Sequence, residues 1–201
     1  MQLPTTTDRA KQIAEEWFPH HAARHITRHR HPDIGGGQSE DLLWARPETF
    51  VYSTHYIREG STLFVTGDIG SAVYQWNNDV SWLNWIASCD YHYFAEKCIA
   101  SEVGVPFVEW DERQAIAQVE EFLAEVRAGD RDGSPVHIEE TGWRQAVSNK
   151  DEWHQFLVVN GHEFGDAWYE WLPGCGNRIH TRCIGHLVGL KIVFDHMDWT
   201  K

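Results

Sequence analysis

Six residues in this chain have the side chains that recognition of a nucleotide requires. Rings at Tyr56, Trp76 and Tyr93 can stack on a base, the Gln75 amide can read its edge, and Lys97 and Arg182 can meet phosphate. A second set, Asp68, Asp90, His55 and His92, supplies carboxylates and imidazoles for acid–base or metal-assisted hydrolysis. Each set has a plain structural alternative. The rings can fill a core, Asp68 can be a turn residue, and Asp90 can cap a helix. Lys97 fits a core worst, since lysine is almost never fully buried unless paired.

Two groups of metal-ligand types carry less. His21, His25 and His29 would align on a helix, but Arg24, Arg28 and Arg30 beside them repel a cation, so a solvated basic arm is the expectation. Cys175, His180, Cys183 and His186 do not have the spacing of a zinc finger or ribbon. A single helix over 179–194 points the two histidines about 120° apart. Packing of Cys183 is the expected role, and neither a metal nor a cofactor is anticipated. There is no G-x-S-x-G elbow, phosphate loop, dinucleotide fingerprint or H-E-x-x-H pair.

The elements that must position these residues are read from periodicity. A helix starts near Thr7 and Asp8 and ends at Pro19; the His/Arg-rich and then Gly-rich stretch after it reads as a mobile arm, with a boundary near Gly35 to Gly37. From Phe50, β-branched and aromatic residues alternate around Glu59-Gly60 and around Gly67-Asp68 to Gly70, which predicts a three-stranded antiparallel meander. Strand 51–58 separates Val51, Ser53, His55 and Ile57 from Tyr52, Thr54 and Tyr56, and strand 71–76 separates Ala72, Tyr74 and Trp76 from Val73 and Gln75.

Helical spacing follows at Trp82 to Cys98, with Asp90 as a start signal. It is clearest in "WDERQAIAQVEEFLAEVRAG", closed by Gly129. Further helices are expected in "DEWHQFLVVNG" and "IHTRCIGHLVGLKIVFDHM", where Gly185 and Gly189 allow close packing. The expected fold is α+β: a small three-stranded meander against several helices. Residues 1–37 form an N-terminal helix and arm, and 38–201 form a single domain.

Thirty acids against seventeen bases give a net charge of −13, which argues against direct binding of nucleic acid or of anionic membranes. Four cysteines, no leader pattern and no apolar run near 20 residues fit a soluble cytoplasmic protein. Eleven tryptophans suit a pocket or a homo-oligomer interface equally.

Three stretches together carry a resemblance: "STHYIREGSTLFVTGDIGSAVYQW", "DYHYFAEKCIASEVGVPFVEWD" and "FGDAWYEWLPGCGNRIHTRCIGHLVGLKIVF". They resemble hypothetical proteins of tailed bacteriophages and prophages that share GD-x-G-x-AVYQW, D-x-x-YF-x-x-KC-x-ASE and RC-x-x-HL-x-GLK patterns. The resemblance implies a host cytoplasmic setting and an accessory or counter-defence role, and assigns no catalytic residue. The expected function is therefore non-enzymatic binding. One form sequesters a nucleotide-type signal on the six residues above; the other covers a host defence protein with the acidic stretch from Glu109 to Glu125. The alternatives are a nucleotide-degrading hydrolase and a structural phage component.

Overall fold

The computed structural model describes residues 3–31, 37–78, 82–105, 107–129, 138, 142–165 and 168–196. The chain forms two compact units: Pro4–Phe107 together with the segment from Ile179, and Val108–Arg178. Each unit has its own apolar cluster.

The larger unit begins with α1 (Thr6–Trp17). Its N-cap is Thr5, whose hydroxyl accepts from the Asp8 amide while the Asp8 carboxylate accepts from the Thr5 amide. This reciprocal box satisfies two donors that a helix start leaves open. Ala10 and Ile13 bury one side of the helix.

Six strands then run as an antiparallel meander in chain order: β1 (Ala22–His31), β2 (Gly37–Ala45), β3 (Thr54–Glu59), β4 (Thr62–Gly67), β5 (Ala72–Gln75) and β6 (Cys98–Ser101). The three-stranded meander is present as β3 to β5, but the sheet is twice that width. The stretch expected to be a mobile arm supplies β1, paired with β2 across an irregularity between Ala23 and His25, while residues 32–36 of that stretch lie outside the described residues. Its cross-strand partners explain why. Arg28 lies opposite Glu40, and Glu40 lies opposite Arg58, so charges that look solvated in the sequence are matched across the ladder.

Alternation along the strands divides the sheet into two faces. Leu42, Trp44, Thr54, Tyr56, Leu63, Val65, Ala72 and Tyr74 are buried, while the residues between them are partly or fully exposed. The buried face belongs to one core with α1, α2 (Leu83–Ala87), α3 (Tyr91–Glu96) and the last helix, Thr181–His196. Every residue from Cys183 to Leu190 in that helix is buried. A helix apolar all round belongs in the middle of a protein, and this one packs against α1, α2 and α3. Gly185 and Gly189 permit the approach: a Cβ on the first would meet the Trp17 ring, and on the second the Tyr56 hydroxyl.

The smaller unit is mainly helical. A short ribbon of β7 (Val108–Trp110) and β8 (Asn177–Ile179) joins its ends. Between them lie α4 (Glu112–Ala128), α5 (Trp143–Ala146), α6 (Lys150–Asn160) and α7 (Trp168–Trp171), with 3-10 turns at Gly161–Phe164 and Leu172–Gly174. Asp111 caps α4 by accepting from the Gln114 amide, and Gly129 ends it at φ 80°, a conformation that favours glycine. The core holds Val119, Phe122, Leu123, Trp143 and Trp153. The Trp153 indole N–H donates to the Leu172 carbonyl at 2.8 Å, so its one polar atom is satisfied. We label the last helix of the chain, Thr181–His196, α8. Among the described residues no helix is long and apolar enough to cross a membrane.

Candidate functional site

The six residues expected to hold a nucleotide are distributed over three places. Tyr56 and Trp76 are core residues, 0% and 4% exposed. Burial pushes the Tyr56 phenol far above its usual range, and its O–H donates to the His186 carbonyl at 2.9 Å. Trp76 packs edge-on against Trp85, with ring centres 6.2 Å apart. Neither ring has a face open to a base, because both occupy inward positions of the alternation.

Gln75 lies on the opposite face of β5 and is exposed. Tyr93 and Lys97 do meet, with the ammonium 4.4 Å from the ring centre. The Gln75 backbone N–H donates to the Lys97 carbonyl at 2.8 Å. Arg182, in the first turn of α8, forms an ion pair with Glu102. The structure therefore brings the Tyr93 and Lys97 side chains together, links Gln75 to Lys97 through the backbone, and encloses Tyr56 and Trp76 in the core.

The Asp and His residues considered for hydrolysis have local tasks. Asp90 is the N-cap of α3, accepting from the Tyr93 amide at 2.9 Å, a bond that holds its carboxyl below the usual range. Asp68 accepts from the Tyr52 amide at 2.8 Å and donates its own amide to the Ser53 carbonyl. It thereby fixes the 46–53 turn, in which Glu48 and Tyr52 take left-handed φ values of 66° and 57°. His55 sits 2.7 Å from Asp41 on the outer face of the sheet, and His92 is exposed.

His25 and His29 stand in β1, so the helical alignment with His21 does not arise, and the His25 side chain lies outside the described residues. Cys183 and His186 are core residues of α8. The Tyr74 hydroxyl lies 2.8 Å from His186 Nδ1 and 3.6 Å from Cys183 Sγ. Burial pushes the His186 imidazole down to about 3 and the Cys183 thiol up to about 12. Among the described residues no group of three or more His, Cys, Asp or Glu could hold a metal ion.

Two clusters were not visible as such in the sequence. One is structural: the Glu40 carboxylate, 1% exposed, accepts from Arg28 Nε at 2.8 Å, Arg58 Nε at 3.4 Å and the Leu83 amide at 2.6 Å. The guanidinium carbons of Arg28 and Arg58 lie 4.8 and 5.4 Å from the Trp82 ring centre. Alternation of Arg28, Glu40 and Arg58 with their neighbours is the signal that could have found it.

The other cluster is a groove of about 430 Å³ in the smaller unit, between α4 and the turn from Trp171 to Cys175. Gln118, Glu121, Phe122 and Glu125 line it at helical spacing of three, four and seven, so all four share one face of α4. Trp171 also lines it, packed on Phe122 with ring centres 4.3 Å apart and 38° between the planes. The Gln118 side-chain oxygen accepts from the Gly176 amide at 2.8 Å and ties the turn to the helix. Cys175 lies buried at the groove, its thiol pushed up to about 11 by burial and therefore neutral. This is a cavity with aromatic walls and a carboxylate rim. Sequence reading identified the acidic helix but could not place the turn that completes the groove.

Comparison with known proteins gives no match to a family model, to a curated protein or to a solved structure.

Proposed function

We propose that this is a phage accessory protein that counters host defence by binding, and that it acts by covering a basic surface of a host defence protein with its 108–178 unit. The observation that carries the reading is the concentration of charge there. That unit has fifteen acids and six bases, a net of −9 of the chain's −13. Glu112, Glu120 and Glu121 stand exposed on α4, beside the groove that holds Glu125. Such a surface attracts a basic partner at long range and repels nucleic acid. Sequestration of a nucleotide on stacked rings has less support, because Tyr56 and Trp76 are enclosed.

The test is a plating assay in bacteria carrying single defence systems. Expression of the chain should restore plating of a defence-sensitive phage, and Glu112→Lys with Glu121→Lys should reduce that restoration at unchanged protein level. Failure of the wild-type chain to raise plating against any defence system tested removes the reading.

A further inference from the structure

We infer that the outer face of the six-stranded sheet is an interface between two copies of this chain, packed face to face about a two-fold axis. Such pairing does not depend on the counter-defence reading, which draws on the 108–178 unit.

An antiparallel sheet with one face on the core and the other in water carries polar residues at its outward positions. Here Ile57, Phe64, Val73 and Ala100 point outward, and strand pairing sets each opposite the next, so they form an unbroken apolar row across β3, β4, β5 and β6. Leu43 continues it diagonally on β2, opposite His55. Phe64 is 41% exposed, Ala100 is exposed, and the other three are half-buried. None of these five side chains belongs to either apolar cluster or to the residues packed against one. Core packing within the chain therefore does not account for the row.

Charge selects the occupant. Two copies of a chain with net −13 repel each other, so they can meet closely only where acids are sparse. The outward positions of β3 to β6 carry one acid, Glu59, at the end of β3. On β2, Asp41 is already bonded to His55 at 2.7 Å, and the Ser71 hydroxyl donates to that of Thr66 at 3.3 Å, so polar groups beside the row keep partners when water leaves. An apolar row bordered by neutral threonines and a glutamine is complementary to itself under a two-fold rotation. A basic partner finds little charge there to steer it.

Six strands about 4.8 Å apart, averaging about six residues of 3.3 Å, span roughly 24 by 20 Å, or about 500 Å² per copy. A pair then buries about 1,000 Å², the lower bound for a specific interface, which gives a dimer that comes apart at micromolar concentration rather than an obligate one. The two sheets would lie about 10 Å apart with their strands within about 30° of each other.

The experiment is sedimentation velocity of the full chain from about 1 to 200 µM, the range in which an interface of this size dissociates. The wild-type protein should shift reversibly from monomer to dimer. Phe64→Ser should weaken the dimer by about tenfold, since both copies lose the ring, whereas Val158→Ser, which trims an 81% exposed residue of α6, should change it by less than about twofold. Thr66→Glu, at an exposed position of the same face, should also weaken it and serves if the Phe64 variant does not fold. Raising NaCl from about 0.05 to 0.5 M should tighten the dimer, because it screens the repulsion between the two acidic chains. A dimer that salt weakens would be held by opposite charges on another surface and would overturn the inference. Equal losses from Phe64→Ser and Val158→Ser would overturn it as well. A wild-type monomer at every concentration would also overturn it and leave the row to a different protein.

Discussion

The Tyr56 hydroxyl occupies the space in which a Cβ on Gly189 would lie. The same hydroxyl donates to the His186 carbonyl, so β3 and α8 are fitted to each other at this point. Gly189→Ala gains about 1 kcal/mol of helix propensity but incurs an overpacking cost of about 1–3 kcal/mol, because hydroxyl and methyl cannot share the site. Net destabilisation is expected in urea unfolding. In a Tyr56→Phe background the substitution should cost much less. Equal losses in both backgrounds would show that the contact is not what demands glycine.

Glu40 gives a second prediction. It is a buried carboxylate between two guanidinium groups and a helix-start amide. Removing one member of a buried charge cluster leaves the others poorly compensated, so Glu40→Ala should lose about 3–5 kcal/mol. Glu40→Gln keeps an acceptor for the Leu83 amide and should lose less. A loss below about 1 kcal/mol for the alanine variant would mean that water compensates the arginines.

The buried His186 imidazole predicts a pH dependence. Its folded value is about 3, below the unfolded value of 6.5, so the unfolded chain binds the extra proton between these limits. Its contribution to stability is therefore complete above pH 6.5 and is lost as the pH falls toward 3, by at most about 1.4 kcal/mol per unit. His186→Gln, which retains an acceptor near Tyr74, should show a shallower fall between pH 7 and pH 5. Parallel curves for the two proteins would contradict the assignment.

The 46–53 turn holds two non-glycine residues in left-handed conformations, with Asp68 as its clamp. Such residues cost about 1 kcal/mol or more, so Glu48→Gly should be neutral or stabilising by up to about 1 kcal/mol. Asp68→Ala should cost about 1–2 kcal/mol by freeing the Tyr52 amide. If both substitutions destabilise equally, the Glu48 backbone is not strained.

Caps, stops and strand alternation are local properties, and the sequence carries them directly. Asp90 and Gly129 stand where a cap and a stop were expected, and alternation in β3 and β5 assigns Tyr56, Tyr74 and Gln75 to their observed faces. What alternation leaves open is whether an apolar face is roofed. The all-buried Cys183–Leu190 stretch, apolar on every side, signals that roof. Nothing local marks the His/Arg segment as a strand, because arginine and histidine carry no strong strand signature. The charge partner of Arg28 is Glu40, a residue in the neighbouring strand. The groove was hidden for a related reason, since nothing near Glu121 in the chain says that Trp171 will pack on that helix.

Strand β1 ends the order of the sheet, and three arginines and three histidines fall within its ten residues. A terminal strand of that length would otherwise be a template on which another copy could extend the ladder. Three arginines in one strand set like charge against a second copy of the same segment, so apolar replacements there are expected to show first as loss of solubility rather than of folding.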